Sequence, residues 1–301
     1  MKMLRASLLF CLVGLCLTGS AFGQIRAMAG EVKETRRTDG FFNKLEIELK
    51  LIGDALAEAR GVRVTVDKAV DSSGKNLIPE KKEAPEFKEL ESSERENVKV
   101  DIELKNASRQ AMEITEISGT IEVFAPSKDP RATITLLNIL KTTGKPIVNP
   151  ALKTAELEVV FWTREQYQAQ RKAEEEKIKK ELEARKKKAG EGAPGEDIGE
   201  AMAEGLMKIF GGLFGSFSEM GENAVALQVT DPKAKIIGLE FVDTEGKTID
   251  RQSRMTMGSD PKTYVYEFEK PLPETARLKL YVMTPRALIK SPFRMSGIPL
   301  P

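Results

Sequence analysis

The sequence predicts a mainly β protein, one or two antiparallel β-sandwiches carrying a helical hairpin insert. Three observations predict it. Apolar and polar residues alternate from 43 to 161 and again after 223. Asp-x-x-Gly turns punctuate both regions. Between them, over 164–220, the apolar period lengthens to that of a helix.

The chain opens "MKMLRASLLFCLVGLCLTGSAFGQ". Lys2 and Arg5 give a basic start, Leu8 to Leu17 an apolar stretch, and Ala21-Phe22-Gly23 a small-x-small cleavage signal. Residues 1–23 therefore read as a secretory signal peptide cut after Gly23. The apolar run is short for a transmembrane helix, and a retained N-terminal anchor is the alternative. The expected location is exported, periplasmic or extracellular. Residues 24–42 show no alternation and are assigned as an N-terminal linker.

Residues 43–163 form the first predicted β region. "LEIELKL" (45–51) puts Leu45, Ile47, Leu49 and Leu51 on one face and Glu46, Glu48 and Lys50 on the other. "VKVDIELK" (98–105) repeats the pattern, and "VRVTV", "GTIEVF", "ATITLL" and "AELEVVF" extend it. Strands with one buried and one wet face belong to antiparallel sheets, stacked apolar face to apolar face. The second region, 222–301, holds "AVALQV", "IIGLEFV", "YVYEFE" and "RLKLYVM". It forms a second sandwich or supplies missing strands to the first. The prolines of "SPFRMSGIPLP" suit an edge strand.

Asp71-Ser72-Ser73-Gly74 and Asp243-Thr244-Glu245-Gly246 share a turn pattern and lead into "GKNL" and "GKTI". Asp bonds the backbone ahead, and Gly accepts the left-handed conformation that closes the turn. Thr143-Gly144-Lys145 is a looser echo. A divergent internal repeat and independent convergence on a good turn both account for the match. Neither turn has the ligand count of a calcium loop.

The insert, 164–221, has three parts. Thr163 and Gln166 make a capping box ahead of a charged helix, 164–188. "AGEGAPGE" (189–196) breaks it. An amphipathic helix, 197–220, follows. Its apolar half carries Met202, Leu206, Ile209, Phe210, Leu213, Phe214 and Phe217, the candidate docking face. Gly199, Gly205, Gly211, Gly212 and Gly215 each cost about 1 kcal/mol against Ala, so this helix needs a surface to cover it. That surface is the chain's own sandwich or charged helix, another protein including a second copy, or a lipid surface. The polar half is acidic, unlike the basic face of membrane-surface helices.

Composition excludes much chemistry. There is no histidine, and both cysteines, Cys11 and Cys16, lie in the signal peptide. A Ser-His-Asp triad, a cysteine nucleophile and an ordinary zinc site are thereby excluded. Loss of Lys2 and Arg5 moves the net charge from +1 to −1, too little positive charge for a nucleic-acid partner. No catalytic, cofactor-binding or metal-binding residue is assigned, and no small-molecule ligand is identified. The expected function is that of a non-enzymatic structural or interaction protein, self-association included. The alternatives are a carboxylate-dependent hydrolase acting on a carbohydrate, which needs only two placed carboxyls, and a peripheral membrane protein.

Short alternating strands with Asp-x-x-Gly turns behind a signal peptide, over roughly 43–162 and 223–301, resemble exported bacterial immunoglobulin-like or fibronectin-like sandwich proteins. The resemblance implies a role in binding or spacing. The Cys…Trp…Cys core of immunoglobulin domains is absent, Trp162 being the only tryptophan, and no functional residue carries over.

Overall fold

In the computed structural model, residues 25–38, 43–80, 85–189, 220–258 and 260–301 are described. The proposed signal peptide and the docking residues Met202, Leu206, Ile209, Phe210, Leu213, Phe214 and Phe217 lie outside them.

The chain builds β1 (Arg26–Thr35), β2 (Lys44–Ile52), β3 (Gly61–Asp71), β4 (Lys88–Glu89), β5 (Val98–Leu104) and β6 (Glu113–Phe124). Then come β7 (Thr133–Leu136), α1 (Pro150–Ala155), β8 (Glu158–Thr163) and α2 (Arg164–Ala189). After the insert follow β9 (Val225–Thr230), β10 (Ile236–Val242), β11 (Ser253–Met257), β12 (Lys262–Glu267) and β13 (Arg277–Val282). The C-terminal strands are β14 (Leu288–Met295) and β15 (Ile298–Pro299).

These strands make two antiparallel sandwiches. The first packs β1-β2-β5 against β14-β6-β3-β4, with β15 also on β6. The second packs β10-β13-β7 against β11-β12-β9-β8. Alternation explains both cores. Leu45, Ile47, Leu49 and Leu51 of β2 are all buried in the first, beside Ile102, Ile117 and Ile121. Val159, Phe161, Leu227, Phe241, Tyr266 and Leu278 fill the second. Each large aliphatic side chain taken out of water contributes roughly 1.5–3 kcal/mol, the main favourable term of the fold.

Strand pairing redraws the expected segmentation. Residues 24–42 are not simply a linker, because β1 pairs along β2 from Arg26 opposite Ile52 to Thr35 opposite Lys44. Its side chains are half-buried or exposed, as on a sheet edge, which erases the alternation. The β regions do not divide at the insert either. β7 and β8, read with the first region, pair with β13 and β9, while β14 pairs with β6. The second sandwich is thus inserted between β6 and β14 of the first. Chain order suggested otherwise because pairing partners are decided by tertiary packing.

The two Asp turns adopt one structure. Asp71 Oδ1 accepts from the Ser73 and Lys75 N–H groups at 2.9 Å. Asp243 Oδ1 accepts from Glu245 and Lys247, also at 2.9 Å. Gly74 and Gly246 close them at φ of 85° and 87°. Asp71 Oδ2 also accepts from Ser108 N–H at 2.7 Å, so its oxygens are filled by donors rather than poised for a cation. Thr143–Lys145 is different: Gly144 (φ 73°) lies against the Trp162 ring, and the loop runs beside β8 instead of closing a hairpin.

α2 begins where the capping box places it. Thr163 N–H donates to Gln166 Oε1, and Gln166 N–H to Thr163 Oγ1, both at 3.4 Å. Among its described side chains only Tyr167 is buried. Tyr167 packs its first turn on the sheet, and the other described side chains of the helix are half-buried or exposed.

Candidate interaction surface

Two places on the described surface concentrate chemistry. One is a cleft of about 750 Å³ between the sandwiches, lined by Arg60, Glu89 and Glu91 on one side and Glu240, Arg251 and Arg254 on the other. Four carboxylates line it, Asp250 being the fourth, and Glu89, Glu91 and Glu240 are each engaged by an arginine across the cleft. Arg254 holds Glu89, Arg251 Nη2 lies 2.5 Å from Glu91, and Arg60 Nη1 lies 3.3 Å from Glu240.

Glu240 is the most enclosed. Thr248 Oγ1 donates to Oε1 at 2.5 Å, the Tyr281 hydroxyl donates to Oε2, and Arg60 stacks 4.7 Å over the Tyr281 ring. Burial pushes the Glu240 carboxyl up, but the two hydroxyls and the Arg60 charge outweigh it and hold it below its ordinary value. Arg95, beside this group, keeps Nε and Nη2 buried without a partner among the described residues. A glycosidase acid needs a carboxyl held protonated near neutrality. Glu240 is held below that range, and its ion pair with Arg60, like Arg251–Glu91 and Arg254–Glu89, joins one sandwich to the other.

The second place is the outer face of the β11-β12-β9-β8 sheet. Register puts Trp162 opposite Ala226, Ala226 opposite Val265, and Val265 opposite Met255, one apolar row across four strands. Val160 and Met257 extend it. Tyr167, from the first turn of α2, and Met220, the last residue of the predicted amphipathic helix, are buried with Ala224, Ala226 and Val265. Burial pushes the Tyr167 phenol up, and its hydroxyl bonds Thr263. Met255 remains 47% exposed, and Trp162 Nε1 is buried with no hydrogen-bond partner among the described residues.

The corresponding faces of the first sandwich are charged. On β2 and β5, Glu48 pairs with Lys99 at 2.9 Å and Lys44 with Glu103 at 3.0 Å. On β3, β6 and β14, Glu122 lies between Arg63 (2.5 Å) and Lys290 (2.8 Å). A water-facing sheet face is ordinarily of that kind. The apolar face lies where the insert leaves the sheet at Thr163 and returns at Met220.

The docking face read from sequence was placed on the insert alone. The signal for the sheet itself is that "VVFW" (159–162) and "AVAL" (224–227) are unbroken apolar runs. Such runs mark strands covered on both faces, whereas alternation marks one. Comparison with protein-family models, characterised proteins and solved structures finds no match for this chain.

Proposed function

We propose that the chain is an exported, non-enzymatic structural or interaction protein, and that the apolar outer face of the second sandwich, with the insert rooted on it, is its docking element for a protein partner or a second copy. One observation carries the reading: the row Trp162, Ala226, Val265, Met255 stands where the first sandwich places ion pairs. Tyr167 and Met220, at the two roots of the insert, already cover Ala226 and Val265, which leaves Met255, 47% exposed, and half-buried Trp162 as the part of the row open to a partner. The sequence of the insert supports it, since Phe210, Phe214 and Phe217 share one face of a glycine-weakened helix that gains stability only by burial. Export rests on the signal-peptide pattern of residues 1–23.

The test uses residues 24–301 as wild type, as Phe210, Phe214 and Phe217→Ser together, and as Met255→Glu. Each is run in sedimentation velocity and in liposome flotation. The expected result is an associated species in the wild type that both variants lose, with no flotation. A wild type that floats while the triple variant does not would make the insert a membrane anchor instead. A wild type that stays monomeric and does not float overturns self-association and leaves capture of a different protein as the remaining form.

A further inference from the structure

The two sandwiches match in five strands and differ in the fourth, β4 lying on β3 but β11 on β12. β1-β2-β5 in the first has the neighbours of β8-β9-β12 in the second, and β6-β3 has those of β13-β10. In chain order the pairs are β1/β8, β2/β9, β3/β10, β5/β12 and β6/β13. β3 and β10 each run into the same Asp turn, whose first N–H returns to the Lys carbonyl: Asp71 to Lys75 at 3.1 Å and Asp243 to Lys247 at 2.9 Å. The next apolar residue repeats as well, Leu77 bonding Ala69 at 2.9 Å and Ile249 bonding Phe241 at 2.8 Å.

After β6 and after β13 the same letters occur, Pro130-Arg131-Ala132 and Pro285-Arg286-Ala287, each a 3-10 turn ending in a fully buried alanine. Each runs directly into a strand, β7 or β14, and there the copies part company with chain order. β7 leaves the first copy and pairs with β13 of the second, Thr133 opposite Tyr281. β14 leaves the second copy and pairs with β6 of the first, Leu288 opposite Phe124. Had each copy kept its own strand, β7 would lie on β6 and β14 on β13. With β7 counted in, the second sandwich has the four-against-three order of an immunoglobulin constant-type domain, so β7 stands in the seventh-strand position.

We infer that the chain is a duplicated seven-stranded sandwich whose two copies have exchanged their seventh strands, so that the two sandwiches form one cooperative unit. The crossing point is symmetric in its residues. Phe124 with Tyr281 and Ala132 with Ala287 pack around Ile237 in one buried cluster. Ala125 N–H donates to Ala287 O at 2.8 Å. Exchange of this kind is a low-cost rearrangement, because every strand finds an equivalent partner and tethered copies meet at high effective concentration. The proline opening each 3-10 turn fixes φ near −65° and removes a donor, which disfavours the tight hairpin that would return the strand to its own sheet.

The aromatic residues supply the test. The single tryptophan, Trp162, and all four tyrosines, Tyr167, Tyr264, Tyr266 and Tyr281, lie in the second sandwich and insert. Ile47→Val removes one methylene from the first core, where Ile47 is fully buried. In residues 24–301, urea unfolding is followed by Trp162 fluorescence and by far-ultraviolet circular dichroism. The expected result is one superimposed transition, moved to lower urea by the same amount in both signals. A Trp162 transition that stays in place while circular dichroism splits into two steps overturns the inference. If Ile47→Val unfolds the whole protein, Trp162 included, that is the same cooperativity in its extreme form.

A second experiment separates exchange from simple adhesion. A protease site inserted between Ser127 and Lys128 is cut in the folded protein. The fragments should co-elute even at 1 M salt, where the ion pairs of the cleft are screened, because β14 of one fragment completes the sheet of the other. Fragments that separate as two folded bodies overturn the exchange.

Discussion

Thr284 Oγ1 donates a hydrogen bond to Asp129 Oδ2 at 2.9 Å, and these residues stand at the N-cap positions of the two 3-10 turns through which the chain crosses between sandwiches, Asp129 also capping its own turn. The two crossings therefore touch at their caps, 155 residues apart in sequence. Asp129 also accepts from Arg131 through Nε at 3.2 Å and Nη2 at 3.1 Å. With Arg131 foremost, these donors hold its carboxyl at about 2.

A pH dependence follows. A carboxyl whose value is depressed on folding contributes stability above its unfolded value and loses it as pH falls through the folded one. For Asp129 that window runs from the ordinary 3.8 down to about 2. Urea midpoints measured at pH 5, 3 and 2 should fall less steeply in Asp129→Asn than in wild type. Parallel slopes would show that the caps do not contribute through this charge.

Glu240 predicts a larger loss at neutral pH. It is 9% exposed and takes donors from Thr248 and Tyr281 of its own sandwich and Arg60 of the other. Glu240→Leu leaves Arg60 without its carboxylate partner, a change of roughly 3 kcal/mol for an enclosed pair. Combining it with Arg60→Met should recover much of that loss, since the stranded charge goes too. A double-mutant cycle by chemical denaturation measures the coupling, and strictly additive losses would deny it.

The turn glycines give a paired prediction. A Cβ on Gly74 meets nothing within 4 Å, and one on Gly246 meets only Lys279 Nζ at 3.6 Å. The penalty for alanine is then the left-handed backbone alone, about 1–2 kcal/mol at each site. Gly74→Ala and Gly246→Ala should lower stability by equal amounts within error. Unequal losses would mean that the two turns differ in what surrounds them.

How much of this was legible in sequence depends on the distance between cause and effect. The faces of β2 could be read from "LEIELKL" because alternation and burial are both local to the strand. The capping box at Thr163 and Gln166 was legible for the same reason. β1 was not, since an edge strand in "RAMAGEVKET" is held by its partner rather than by its own pattern. The strand crossings were less legible still, because β6 offers β7 and β14 chemically similar places to pair. Their letters did leave a trace in the repeated Pro-Arg-Ala, which gains meaning only once each copy is seen to end in the other's sheet. For the proposed docking element, the sequence points to Phe210, Phe214 and Phe217, while the described residues add the row Trp162, Ala226, Val265 and Met255.

Met255 offers the cleanest probe of that surface. It sits on the edge strand β11, 47% exposed, at the end of the apolar row farthest from Trp162. A substitution at such a position ordinarily changes stability by no more than about 0.5 kcal/mol. Met255→Glu should therefore keep the wild-type urea midpoint while placing a charge that any apolar partner would have to desolvate. Val265→Glu, at a buried position in the middle of the row, should instead unfold the sheet, since an unpaired charge cannot be accommodated there. The informative comparison is the midpoint of Met255→Glu against its sedimentation profile. An unchanged midpoint with a lost associated species assigns the face to binding. An unchanged midpoint with an unchanged profile assigns the exposed end of the row to no contact and confines docking to the residues nearer Trp162 and Tyr167.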